Sequence, residues 1–224
     1  MTTSRLWRLA GALAFAHIVL LLAGVVLEQT PLLGASAADT TAALVRSPLS
    51  TELAGGYVEY LGFLVFLVGA LLLARLLRGS SEISGWLAAC IGGTAVTYTA
   101  ATIATGFAAG AAALYDGHHG VPLATITTVN DVRNFAFFLS VGVLGVFTMA
   151  VAGAIHATRT LPRWLAYTGY VVGLVCIAAV PLARLGAIDS ANLLWLVWFL
   201  ALGVAALRGP RSVPAVESAV PVGA

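Results

Sequence analysis

Ionisable side chains set in apolar sequence are the first place to look for chemistry, because a charge in hydrocarbon is costly and is usually kept for a purpose. Glu59 is such a residue, lying between Tyr57 and Tyr60 at the head of a long apolar run. About five residues inside a membrane helix, it would sit roughly 7 Å below the interface at 1.5 Å per residue. Arg133 offers the opposite charge from a later apolar run, and Asp131 precedes it by two residues. Residues two apart do not share a helix face, so Asp131 and Arg133 need separate partners. Three readings of Glu59 stand side by side: an ion pair with Arg133 that fixes helix packing, a substrate or proton site, and a side chain that snorkels to water.

Tyr98 lies in a threonine-rich stretch with Thr94, Thr97, Thr102 and Thr105. Thr94, Thr97 and Thr105 approximate one helical face, with Tyr98 and Thr102 beside it. Such a stripe either lines a polar cavity or spends its hydroxyls on carbonyls of its own or a neighbouring helix. Glu59, Asp131, Arg133 and Tyr98 therefore form the candidate pocket or ion-pair set. Asp116, His118 and His119 are the most ligand-like cluster. Imidazole and carboxylate suit zinc or copper, yet a structural tetrahedral site needs four ligands, so Glu59 or Asp131 would have to complete it. The other reading is a solvated loop with Gly117 and Gly120 as turn residues.

The remaining reactive types argue for less. His17 falls near the middle of an apolar run and His156 near the end of another, and that difference in depth does not suit paired axial haem ligation. An inter-helical hydrogen bond from His17, for instance to a threonine of the third span, is the expected alternative. Cys90 and Cys176 both sit in apolar sequence without a Cys-x-x-Cys, and buried cysteine behaves as a small apolar residue. All eleven basic residues are arginine, which excludes a Schiff base to a lysine amine. No complete catalytic or cofactor motif is present, no cofactor is expected, and no basic cluster suits nucleic acid.

These residues must be positioned by membrane helices. The 224-residue chain is 60% hydrophobic and 9% charged, with a mean hydropathy of +1.00. A soluble domain carries about 25% charged residues, and a soluble core this large would lack the polar surface to cover it. The apolar residues fall in blocks long enough to cross a bilayer. Six spans are predicted, at about 9–27, 54–77, 85–114, 134–157, 164–183 and 191–207. They form an all-α transmembrane bundle over residues 1–208, followed by a disordered cytoplasmic tail at 209–224. The first span is expected to be an uncleaved anchor, since it is longer than a signal-peptide core and Ala35-Ser36-Ala37 lies well beyond its end. The longest connection, 28–53, is predicted to hold a short helix over Thr40–Val45 capped by Asp39. Residues 115–123 read as a polar loop and 125–133 as a polar approach to the fourth span.

Arginine placement sets the orientation. With the N-terminus inside, Arg5, Arg8, Arg75, Arg78, Arg159, Arg163, Arg208 and Arg211 are cytoplasmic, and only Arg46, Arg133 and Arg184 lie on the outer side, as the positive-inside rule predicts. Both termini are then cytoplasmic, and Trp7, Trp86 and Trp164 anchor the inner interface. Gly106-x-x-x-Gly110 and Gly169-x-x-x-Gly173 permit close helix approach.

Leu161-Pro162-Arg163-Trp164-Leu165, the small-residue run to Gly173, and Leu194-Trp195-Leu196-Val197-Trp198 are similar to a broad group of uncharacterised bacterial six-span integral membrane proteins. The resemblance covers the last third of the chain and implies the fold without an activity. Residue types and composition together predict a multi-pass protein of a bacterial inner membrane. Its leading expected role is structural or accessory, with the bilayer and a membrane-protein partner or second copy as its surroundings. The alternative is a small-molecule or proton-coupled binder or transporter with an outward polar pocket that also takes in His118 or His119. A membrane enzyme ranks third.

Overall fold

The computed structural model describes residues 3–28, 35–45 and 48–210. Among them there is no strand; they form seven helices and one short 3-10 turn. The helices are α1 (Thr3–Leu27), α2 (Ala37–Val45), α3 (Leu49–Leu77), α4 (Glu82–His118), α5 (Leu123–Thr158), α6 (Arg163–Ala179) and α7 (Ala187–Arg208). Five of these are long and apolar enough to cross a membrane, namely α1, α3, α4, α5 and α7. α6 is a shorter apolar helix, and its 17 residues give roughly 25 Å, the lower limit for a crossing.

Local sequence sets the helix ends. α3, α5 and α6 each start directly after a proline (Pro48, Pro122, Pro162) held at φ near −57° or −55°. The ring fixes that dihedral and removes an N–H that the first turn would leave unpaired. Ser81 caps α4 by accepting the Ser84 N–H at 3.2 Å. Gly120, at φ +74°, makes the turn from α4 to α5, a left-handed conformation that glycine adopts without penalty.

Six of the helices pack in a ring that follows chain order: α1 on α3, α3 on α4, α4 on α5, α5 on α6, α6 on α7, and α7 back on α1. Glycines permit the closest approaches. A Cβ on Gly11 would meet the Gly203 carbonyl at 2.7 Å, one on Gly24 the Gly55 carbonyl at 2.8 Å, and one on Gly145 the Gly173 carbonyl at 2.6 Å. These contacts join the start of α1 to the end of α7, and the end of α1 to the start of α3, so neighbouring helices run antiparallel. One end of the bundle gathers Arg8, Arg75, Arg78, Arg159, Arg163 and Arg208; the other gathers most of the acids.

The core is aromatic. Phe66, Phe147 and Trp195 are fully buried, with Phe63, Tyr98 and Phe199 around them. His17 stands inside this cluster, its ring centroid 5.1 Å from that of Phe66 and 5.8 Å from that of Phe199. Its Nδ1 bonds the Gly62 carbonyl at 2.9 Å, so the expected inter-helical bond is made, to the backbone of α3 and not to a threonine of the third span. Trp195 donates to Thr148 Oγ1 at 3.0 Å and Trp198 to the Leu165 carbonyl at 3.1 Å, which satisfies both indole N–H groups where water is excluded.

Several boundaries differ from the sequence expectation. α4 continues through Tyr115–His118, so Asp116, Gly117 and His118 are helical, and the turn is confined to His119 and Gly120. The polar approach at 125–133 is the start of α5, not a separate segment. Thr127 and Thr128 bond back to the Leu123 and Ala124 carbonyls at 2.9 and 3.0 Å, which lets a polar sequence stay helical. α2 begins at Ala37 with Ser36 as its cap; Asp39 lies in the first turn and accepts from the Ser36 hydroxyl at 2.7 Å. α6 ends at Ala179, and Arg184 lies in a short 3-10 turn, Ala183–Leu185. Arg46 and Arg211, like the tail from 211 onward, lie outside the described residues.

Candidate functional site

The acid-rich end of the ring encloses a cavity of about 400 Å³ between α1, α3, α4, α5 and α7. Its polar wall comprises Glu28, Glu59, Tyr98, Arg133, Asp189 and Asn192, with Thr102, Asn134 and Ser140 deeper between α4 and α5. Each position follows from helix geometry. Glu28 terminates α1, where its N–H still bonds the Gly24 carbonyl at 2.8 Å. Asp189 and Asn192 are three apart on α7 and so share a face.

Glycines make room for these charged groups. A Cβ on Gly24 would lie 2.3 Å from Glu59 Cγ, and one on Gly110 would lie 3.0 Å from Arg133 Cδ and 3.6 Å from Glu28 Oε1. Gly110, expected to serve close helix approach, instead accommodates the arginine side chain. Gly169 and Gly173 do serve helix packing, against Trp198, Ala152 and the Gly145 backbone.

α4 is not uniformly α-helical. Residues Thr102–Phe107 form a π segment, a widening of the helix that is rare overall and frequent at functional sites. Thr102, Gly106 and Phe107 of this segment all line the cavity. Thr102 bonds the Tyr98 carbonyl at 2.8 Å and meets the Ser140 hydroxyl of α5 at 3.1 Å. Thr94, Thr97 and Thr105 bond to carbonyls of their own helix, so the threonine stripe contributes Thr102 alone to the cavity wall.

The structure brings Glu59, Tyr98 and Arg133 onto this one cavity. Asp131 is partly exposed and lies outside its lining. Arg133 pairs with Glu28 and not with Glu59: its Nη2 lies 3.6 Å from Glu28 Oε1. At that distance the contact is an ion pair rather than a hydrogen bond. Glu59 feels the charges of both Glu28 and Arg133, but among the described residues its carboxyl makes no hydrogen bond and no ion pair within 4 Å. Tyr98 is only 5% exposed and lines the cavity.

Burial holds the Glu28 carboxyl above the usual carboxylate range, and the Arg133 guanidinium pulls against that shift. The arrangement thus sets three carboxyls against one guanidinium, and that guanidinium is already paired.

The histidine cluster is arranged differently. His118 Nε2 approaches the fully buried Glu52 at 3.8 Å. His119 Nδ1 bonds the Tyr115 carbonyl at 2.7 Å, and its ring stacks on Tyr115 at 3.9 Å. Asp116 uses its backbone carbonyl to accept the His119 and Val121 N–H groups at 3.1 and 3.3 Å. Asp116, His118 and His119 therefore point to separate partners, and among the described residues no three His, Cys, Asp or Glu side chains are placed to hold a metal ion.

Glu28, Asn134, Asp189 and Asn192 are the site residues that the sequence reading left out. The signal for Glu28 was its position immediately after an uninterrupted apolar run; for Asp189 and Asn192 it was their three-residue spacing at the head of the last span. Compared with known proteins, the chain matches no family model, no curated protein and no solved structure.

Proposed function

We propose that this chain is a multi-pass protein of a bacterial inner membrane that binds a small molecule in the cavity at its extracytoplasmic end. The carrying observation is the partnering of the charges. Had Glu59 and Arg133 paired, the cluster would read as helix packing and the protein as structural or accessory. Arg133 pairs with Glu28 instead, and Glu59 faces the cavity with no hydrogen bond or ion pair among the described residues. A carboxyl held at membrane depth without a structural partner is what a ligand site or proton site requires. The cavity volume falls within the range of small-molecule pockets.

The arginine distribution supports the orientation, since the end opposite the cavity carries the basic residues that positive-inside topology keeps in the cytoplasm. Below the cavity, the aromatic cluster around His17, Phe66 and Trp195 closes the path toward the arginine-rich end. Binding is therefore from one side.

The test is cysteine accessibility. Asn192→Cys, in a chain with Cys90→Ala and Cys176→Ala, should react with a membrane-impermeant thiol reagent added to intact spheroplasts. Labelling that requires inverted vesicles would overturn the outward cavity.

A further inference from the structure

The cavity wall also indicates what enters it. Leu22 and Val25 of α1 and Phe137 of α5 line the cavity, yet they are 50%, 54% and 36% exposed. A residue that lines a cavity and also stands on the outer surface of the bundle marks an opening. Here the opening lies within membrane spans, so it faces lipid. Asp189, in the first turn of α7, lines the same cavity and is exposed at the polar end of the bundle. The mouth therefore runs from the water interface down into the hydrocarbon region, with charged groups at one end and aliphatic and aromatic ones at the other.

We infer, building on the binding site proposed above, that its ligand is a cationic amphiphile, an ammonium head with a single apolar tail, which enters sideways from the bilayer past Leu22 and Val25 of α1. Geometry selects the head. Glu28 meets Arg133 at 3.6 Å, which leaves Glu59 and Asp189 as carboxyls on the cavity wall without a basic partner among the described residues. An ammonium head can pair with them, and an anionic head cannot. Phe63, Phe107 and Tyr98 add ring faces to the wall, and aromatic faces attract ammonium groups. The tail lies along Leu22, Val25 and Phe137, where lipid and cavity meet.

The experiment uses the full chain in phosphatidylglycerol nanodiscs, with empty discs subtracted, and three labelled probes: decyltrimethylammonium, tetramethylammonium and decyl sulfate. Saturable binding of decyltrimethylammonium is expected, at least about ten-fold tighter than tetramethylammonium and about ten-fold weaker in Glu59→Gln. Decyl sulfate should not compete. Val25→Trp, which fills the mouth, should slow association of decyltrimethylammonium by about ten-fold, with Leu22→Trp in its place if the first variant does not fold.

Equal affinity for tetramethylammonium and decyltrimethylammonium would overturn the lipid-side mouth and leave the cavity reading intact. Tighter binding of decyl sulfate would overturn the cationic head. No saturable binding of any probe, with Asn192→Cys labelled from outside, would sink the ligand class alone; if Asn192→Cys is unlabelled as well, both readings fall.

Discussion

At the scale of single residues, the balance of charge in the cavity is lopsided, and so should be the cost of changing it. Arg133 is the one basic residue among the described residues that line the cavity. Removing it leaves Glu28 and Glu59 close together without a cation, whereas removing Glu28 relieves that crowding. Arg133→Gln should therefore destabilise the bundle by about 2 kcal/mol, midway between an exposed and a fully buried broken pair. Glu28→Gln should change stability by less than about 1 kcal/mol. Chemical or thermal unfolding in nanodiscs checks the pair; equal losses in both variants would contradict it.

Glu28 also carries a pH dependence. Its carboxyl is raised in the folded protein, chiefly by burial. A group raised in this way binds its proton more tightly folded than unfolded. The cost of ionising it is absent below the unfolded value and complete above the folded one, so stability falls as pH rises between the two. The parent chain should gain stability on acidification from about pH 7 to about pH 5, and Glu28→Gln should gain measurably less. Unfolding curves of the two proteins at both pH values give the comparison.

At the scale of elements, the α1–α3 contact positions the acids, and small residues set its closeness. A methyl group on Gly24 would overlap Glu59 Cγ and the Gly55 carbonyl. The side chain can move but the carbonyl cannot, so Gly24→Ala should cost about 1–3 kcal/mol, the range for overpacking a close contact, read as a lower melting temperature.

The spans themselves were legible because hydropathy over some twenty residues is a strong signal. Their outer ends were not. The starts of α5 and α7 carry Thr, Asn and Asp, types that read as loop, yet Thr127 and Thr128 satisfy backbone carbonyls within α5. The π segment was illegible for a different reason. Thr102–Phe107 has the composition of any small-residue membrane helix, and the wider turn is fixed by packing against α5 and α3. Three of the four residues predicted for the site, Glu59, Tyr98 and Arg133, do line one cavity. The pairing was misread because Glu28 belongs to the end of α1, and only the tertiary structure brings that end to α5.

At the scale of the whole molecule, the ring of helices has two chemically unequal ends, one rich in arginine and one rich in acids. The arginine-rich half carries an open, mostly apolar groove of about 570 Å³ beside Trp86, Met149 and His156; the acid-rich half holds a smaller cavity whose wall carries Glu28, Glu59, Arg133 and Asp189. The central claim is that Glu59 faces that cavity as a free ligand-binding carboxyl and does not hold the helices together. Thermal unfolding of Glu59→Gln in nanodiscs near neutral pH tests it most directly. A partly buried carboxyl with no hydrogen bond or ion pair contributes desolvation cost, and the repulsion from Glu28 outweighs the attraction to Arg133, so the variant should unfold at or above the temperature of the parent chain. Unfolding well below the parent would make Glu59 a packing residue and would contradict the binding site.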